Sequence, residues 1–233
     1  KGGDASLPQG PRHEPLSDGG EGKPFSEDTP RNRSAPDLGL YKCGSAVFEL
    51  GDLYRVKKLM GQGAFGCVVA GEDLQSGMKV AIKKVKGSTS DRTGAKRLLR
   101  ELRFLRELRG HVNIVHLQDV YVRASEGHMD TYIVTDLMEA DLEQIIKSSQ
   151  ALSTEHVRCL TYQMLNGLRH MHRAGVVHRD LKPANLVVDS QCRLKICDLG
   201  LSRHISDNQT ATEAEDGRFT DYVVTRWYRA PEL

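Results

Sequence analysis

A carboxylate, an ammonium and an amide fall within one short stretch, His178-Arg179-Asp180-Leu181-Lys182-Pro183-Ala184-Asn185. A second carboxylate follows in Asp198-Leu199-Gly200. Between them, Leu186-Val187-Val188 and Leu194-Lys195-Ile196 flank the polar turn Asp189-Ser190-Gln191, a pattern that predicts two short strands. A hairpin of that length returns Asp198 beside Asn185. Asp180 is then placed to accept a proton from a hydroxyl, while Asn185 and Asp198 offer oxygen ligands of the kind Mg²⁺ prefers. This is equipment for phosphoryl transfer, provided that the chain also holds a nucleotide.

A nucleotide site is suggested upstream. Gly61-Gln62-Gly63-Ala64-Phe65-Gly66-Cys67-Val68 lies between two strand-like segments. A lone G-x-G-x-x-G is weak evidence, but β-branched Val68 and Val69 and then Gly71 follow it, so a hairpin covering phosphates fits better than a turn opening a helix. Its glycines let the backbone approach a ligand closely. Lys83 ends Val80-Ala81-Ile82-Lys83, and a buried lysine needs an anion, either a phosphate or a helix carboxylate. Glu101, three residues after Leu98 near the apolar edge of the next helix, is the best such carboxylate. Taken alone, Lys83 reads as a surface lysine beside Lys84. The glycine hairpin before it and the acidic loop after it argue otherwise.

Composition limits the alternatives. With 233 residues, 39% of them hydrophobic, the chain can bury a sizeable core in one large or two small domains. A formal net charge of +2 gives no argument for nucleic acid or a membrane surface as partner. No apolar run approaches the roughly 18 residues of a membrane span, and the first residues lack the apolar core of a secretory signal. The five cysteines are scattered without a C-x-x-C or zinc-like spacing, so free thiols in a reducing compartment are expected. His170 and His172, two apart, read as packing or surface residues.

Residues 1 to about 40 hold six of the eight prolines and a net charge of −2, and Phe25 is their only aromatic residue, so they are expected to be disordered. Thr29-Pro30 within them reads as plain linker rather than a modification site. Strands are predicted over Leu53 to Met60, Cys67 to Ala70, Lys79 to Ile82 and Thr131 to Val134. A helix is predicted from about Asp91 to Leu108 with Ala95, Leu98, Leu102 and Leu105 on one face. A second begins after the N-cap Ser153, with Val157, Leu160, Met164, Leu168 and Met171 as its apolar stripe. A strand-rich region with one helix thus precedes a helix-led region, with the boundary near Leu137 to Glu139. The first helix also carries Arg97, Arg100, Arg103, Arg106 and Arg109, which read mostly as a solvated face. A nucleic-acid-binding helix is disfavoured, because Glu101 and Glu107 interrupt the row and no aromatic residues are interleaved.

The ordered set of glycine loop, Val80-Ala81-Ile82-Lys83, His178 to Asn185, Asp198-Leu199-Gly200 and Ala230-Pro231-Glu232 resembles the eukaryotic protein kinases from about Val47 to Leu233. Lys182 is similar to the serine/threonine rather than the tyrosine kinases. Thr220-Asp221-Tyr222 and the residues through Glu232, together with Ala95-Lys96-Arg97, Arg100-Glu101-Leu102 and Asp136 to Leu142, resemble the mitogen-activated protein kinases. The resemblance implies an α+β, bilobal protein-kinase fold. Residues 1–46 would be a disordered extension, 47–138 a β-rich N-lobe with one αC helix, and 139–233 the first part of a truncated, mainly helical C-lobe.

The same resemblance implies ATP and Mg²⁺ as cofactors. Lys83 would bind the α/β-phosphates and pair with Glu101, Asp180 would be the catalytic base, and Lys182 would steady the γ-phosphate. Asn185 and Asp198 would hold Mg²⁺. Gly61, Gln62, Gly63, Ala64, Phe65, Gly66, Val68 and Ala81 would line the nucleotide site. Thr135 would be the gatekeeper, Asp136 and Met138 the hinge that bonds adenine, and Asp141 a ribose contact. An upstream dual-specificity kinase would phosphorylate Thr220 and Tyr222, and phosphatases would reverse it. Arg100, Arg179 and Arg203 would receive the first phosphate, Arg226 and Arg229 the second. Substrates would be proteins with Ser/Thr-Pro sites, met in cytoplasm and nucleus.

Two departures from the family pattern stand out. Leu199 replaces the usual Phe of Asp-Phe-Gly, a swap that keeps an apolar side chain. The chain also stops at Leu233, whereas the family continues with helices that complete the larger lobe, an arginine that pairs with Glu232, and an acidic docking site. A non-catalytic fragment or scaffold is therefore the alternative to an active enzyme.

Overall fold

Strand alternation builds the first half of the molecule. The computed structural model describes residues 39–44, 46–63, 66–87, 92–125, 128–205 and 226–228, all within the unit Ser34–Leu233. The expected disorder of the first 38 residues falls outside the described ones. From Gly39 onward the chain differs from the expectation that structure begins at Val47. Strand β1 (Leu40–Cys43) pairs antiparallel with β2 (Ala46–Glu49), turning at Gly44 with φ +60°. The reason is packing: Tyr41 and Cys43 lie against a cluster formed by Phe48, Leu50, Val69, Ile82 and Tyr132.

Five further strands form one antiparallel sheet in the order β3-β4-β5-β7-β6, from β3 (Tyr54–Gly63), β4 (Gly66–Asp73), β5 (Lys79–Val85), β6 (Leu117–Ser125) and β7 (His128–Asp136). The period of two decides what each face does. In β5, Val80, Ile82 and Lys84 are buried on the face toward the β1–β2 hairpin, while Ala81, Lys83 and Val85 take the other. Lys84 is therefore not a surface residue beside Lys83. Its ammonium lies 2.7 Å from Asp130 Oδ2, donates to Val47 O, and both side chains are almost fully buried. Asp130 also accepts from Gly87 N at 3.0 Å, so this pair ties the hairpin to the sheet.

Helix α1 (Arg92–Glu107) covers the opposite face, burying Leu98, Glu101, Phe104 and Leu105 and packing on a 3-10 turn at Leu199–Leu201. The second half holds β8 (Ala140–Asp141), α2 (Leu142–Lys147), α3 (Thr154–Arg173), β9 (Val176–Val177), β10 (Leu186–Val188), β11 (Leu194–Ile196) and β12 (Arg203–His204). Ser153 caps α3 as expected: its hydroxyl accepts from His156 N, and His156 Nδ1 accepts from Ser153 N. Gly175, with φ +71°, closes the helix's far end. Of the expected stripe on α3, Leu160 and Met171 are buried and Met164 and Leu168 partly so, whereas Val157 is 51% exposed. Leu160, Met164, Leu168 and Met171 join α1, β10, β11 and Leu199 in one continuous core.

The five cysteines are all free thiols. Among the described residues no helix is long and apolar enough to cross a membrane.

The Lys84–Asp130 pair yields a stability prediction. Removing one partner leaves the other buried without its counter-ion, so Lys84→Met should destabilise the protein by about 3–5 kcal/mol in urea denaturation. The double variant Lys84→Met with Asp130→Leu should recover much of that loss. Equal losses for the single and double variants would show that the pair itself contributes little.

Candidate active site

Strand β5 and helix α1 set the first part of the site. Lys83 Nζ donates to both oxygens of Glu101, at 2.7 and 2.8 Å. Burial opposes the lysine's charge, but Glu101 and Asp198 outweigh it and hold its pKa above the usual lysine value. The adjoining positions follow from pairing register. Val68 lies opposite Lys83, and Ala81 lies opposite Thr135.

The glycine stretch forms the end of the β3–β4 hairpin, with Gly61 opposite Val68, Gln62 opposite Cys67 and Gly63 opposite Gly66. Ala64 and Phe65 lie outside the described residues. Two of the glycines differ in what they require. A Cβ on Gly61 would meet nothing within 4 Å, consistent with open space for a ligand. Gly66 has φ +127°, and a Cβ there would sit 2.2 Å from Lys84 O. Its glycine is demanded by the neighbouring strand.

The loop from His178 brings the second part together. Asp180 Oδ2 accepts from Lys182 Nζ at 2.8 Å and from Asn185 Nδ2 at 3.0 Å, and Asn185 Nδ2 also donates to Asp180 O. The amide nitrogen of Asn185 is thereby engaged, which leaves its oxygen as the atom able to face a cation. Strands β10 and β11 pair antiparallel, and Cys197 N donates to Asn185 O at 3.0 Å. Asp198 therefore arrives beside Asn185. One carboxylate and one amide are hard oxygen donors that suit Mg²⁺, which takes few protein ligands and completes its shell with phosphate and water. Among the described residues no cluster of three His, Cys, Asp or Glu side chains offers a self-sufficient metal site.

Two non-glycine residues here have left-handed backbone, Arg179 with φ 66° and Asp198 with φ 59°. His178, 2% exposed, lies between their segments. Asp180 N donates to His178 Nδ1 at 3.2 Å, so Nε2 carries the proton and donates to Cys197 O at 3.0 Å.

The segment after β7 reaches the same region. Thr135 and Asp136 end the strand, and Met138 is buried. Asp141, expected at a ribose, also caps α2, accepting from Gln144 N at 2.8 Å. Of the expected phosphate receivers, Arg203 lies opposite Val177 in the β9–β12 pair, two residues before Arg179, and Arg100 is on α1. Arg226 begins a 3-10 turn, Arg226–Tyr228. Thr220, Tyr222 and Arg229 lie outside the described residues.

Residues 54–233 match the protein kinase domain family. The chain belongs to the protein kinase family. Its curated relatives include mitogen-activated protein kinase homolog 1 of Petunia hybrida, 42% identical over 207 residues, which are 88% of this chain and 52% of that protein. The mitogen-activated protein kinase mpkA of Aspergillus fumigatus is 45% identical over 194 residues, 83% of this chain and 45% of its own length. Mitogen-activated protein kinase 7 of Arabidopsis thaliana is 44% identical over 194 residues, 83% of this chain and 50% of its own. The chain thus spans about half the length of the curated relatives it matches.

Within this kinase domain, some polar residues carry more than their sequence positions suggested. Asn113, 4% exposed, donates to Leu194 O and Gln163 Oε1 and accepts from Asn166 Nδ2. It fastens the segment after α1 to α3 and β11. Asp136 gathers bonds from several elements through its carboxylate. A polar residue in an apolar run, as in Val112-Asn113-Ile114, was the available signal for the first.

His178 yields a pH prediction. Burial is the main cause that holds its pKa below the ordinary value, against a smaller opposing effect of its bond to Cys197 O. An imidazole whose folded pKa lies below the unfolded value of about 6.5 binds fewer protons when folded, so acidification below that value favours unfolding. Urea midpoints between about pH 7.5 and 5.5 should show wild type losing up to about 1.4 kcal/mol per pH unit more than His178→Gln. Parallel pH profiles would mean that His178 does not titrate differently on folding.

Proposed function

We propose that the protein is a serine/threonine kinase of the mitogen-activated type, transferring the γ-phosphoryl group of ATP to Ser or Thr followed by proline. The observation that carries this reading is the clasp of Asp180 between Lys182 and Asn185, in the same unit as the Lys83–Glu101 ion pair. A carboxylate so held has a fixed orientation, because two donors from its own loop meet the same oxygen.

In this reading the substrate hydroxyl gives its proton to Asp180 as its oxygen bonds to the γ-phosphorus. The bond from that phosphorus to the bridging oxygen breaks, and ADP departs. Lys83, steered by Glu101, binds the α- and β-phosphates, and Lys182 neutralises charge on the transferred group. Asn185 and Asp198 would hold Mg²⁺, which when bound draws off charge from the phosphate oxygens. The adenine would meet the backbone at Asp136 and Met138, between the end of β7 and the start of β8 at Ala140, where we place the boundary between the lobes. Thr135 would border it as gatekeeper. With ribose bound, Asp141 would act in addition to its capping role.

Regulation is part of the same proposal. Phosphates on Thr220 and Tyr222, added by an upstream dual-specificity kinase, would each bring roughly −1.5 to −2 charge. Arg100, Arg179 and Arg203 are assigned to the first and Arg226 and Arg229 to the second. The pairing of β12 with β9, which brings Arg203 near Arg179, supports the first set. We assign the protein to cytoplasm and nucleus on its likeness to this family and on its free thiols.

Asp180→Asn in the full-length protein should lower kcat by about 10²–10⁴-fold with little change in MgATP affinity. Equal turnover by the variant and wild type would remove the base assignment. Thr220→Ala combined with Tyr222→Phe should abolish activation by the upstream kinase, measured as phosphate transfer to a Ser-Pro peptide. Full activation of the double variant would end the switch reading.

A further inference from the structure

We infer that Asp136 and Lys195 form a latch that positions the segment after β7 relative to Asp198. The Asp136 carboxylate accepts from His116 N at 2.9 Å and from Lys195 Nζ at 2.6 Å through Oδ2, and from Gln118 Nε2 at 3.0 Å through Oδ1. Its own backbone N–H donates to His116 O. One side chain thus joins the segment after α1, strand β6 and strand β11.

The placement of Lys195 explains why the junction is directional. Leu194 and Ile196 on either side are fully buried in the core, so strand alternation sends Lys195 to the other face, where it meets Asp136. Both side chains are about one-fifth exposed, which keeps water from screening the pair as it does at an open surface. A charge-assisted bond of 2.6 Å is at the short end of its class. β11 is anchored from behind as well: Ile196 N donates to Asn113 O, and Leu194 N to Gln163 Oε1.

Asp198 follows Lys195 closely in the chain, beyond Ile196 and Cys197. A nucleotide seated as proposed above would touch the backbone at Asp136 with its base and reach Asp198 at its phosphate end. The latch sets the distance between those two ends. Lys195 is therefore a positioning residue that contacts neither the base nor the phosphates. Without it Asp136 keeps two N–H donors, so the variant should fold while the two ends move independently.

The inference rests on the proposed nucleotide site for one of its two readouts and is independent of it for the other. In the full-length protein without nucleotide, Lys195→Met should speed hydrogen exchange of amides in 113–118 and 135–141 by about tenfold, leaving 54–73 unchanged. Lys195→Arg should restore the wild-type rates. Unchanged rates, or equal acceleration in 54–73, would overturn the latch. By calorimetric titration, Lys195→Met should raise the Kd for MgATP by about tenfold and that for adenosine by less than about twofold. Equal changes for the two ligands would also overturn it. If wild type binds neither MgATP nor adenosine, the nucleotide reading falls, and the exchange rates alone uphold or overturn the latch.

Discussion

Taking an ammonium out of water costs several kcal/mol unless an anion goes with it, and the site is arranged around one such ammonium. Lys83 remains charged because Glu101 meets it on one side and the Asp198 carboxylate lies within electrostatic reach. Glu101 can do this only if α1 lies close against the sheet with that residue turned inward. Leu98, Phe104 and Leu105 supply the apolar packing that holds it so, and the Leu199–Leu201 turn closes the space beneath. The ion pair and the core are thus mutually dependent. A helix turned by one residue would put Arg100 or Leu102 in place of Glu101, and neither can pair with an ammonium.

The pose of α1 is fixed in turn at its far end. The segment after the helix is tied by Asn113 to α3 and β11, and Val115 N donates to Ile196 O. That approach is close enough to require Gly167 on α3, where a Cβ would fall 2.8 Å from Ile196 Cδ1 and 3.0 Å from Asn113 O. The position of Glu101 therefore depends on a glycine and an asparagine that touch neither it nor Lys83. Strand β11 is the shared support. It carries Lys195 toward Asp136 on one face, packs into the core on the other, and leads into Asp198.

What could be read from residue types was whatever depends on near neighbours. The His178 to Asn185 loop, the β10–β11 hairpin and the Ser153 cap are local, and their residues meet within a few positions. The partner of Lys83 was legible because α1 offers few acids and only Glu101 lies by its apolar edge. The roles of Lys84, Asn113 and Lys195 were not legible, since their partners lie 46, 81 and 59 positions away and any of several acids or carbonyls could have served. For Lys84 the period of two already contained the answer. Adjacent residues on a strand point to opposite faces, so if Lys83 faces α1, Lys84 cannot share its surroundings. The hairpin that buries Lys84 begins in a segment whose composition reads as linker, and only the packing of Tyr41 and Cys43 reveals it as a strand.

The two strained residues show what holds the His178–Asn185 loop against the segment bearing Asp198. A left-handed conformation costs a non-glycine residue roughly 1–2 kcal/mol, and Arg179 and Asp198 both adopt it. Each strained residue borders a hydrogen bond of the buried His178 ring, which takes Asp180 N–H at one nitrogen and gives a proton to Cys197 O at the other. Ser202, fully buried, adds a hydroxyl directed to His178 O. A relaxed backbone at either position would turn one of these groups away and leave it buried without a partner, at a cost comparable to the strain removed. The strain is therefore stable as a unit. The neutral imidazole is the piece that couples the loop bearing Asp180 to the segment bearing Asp198, so that the two carboxylates keep one relative geometry.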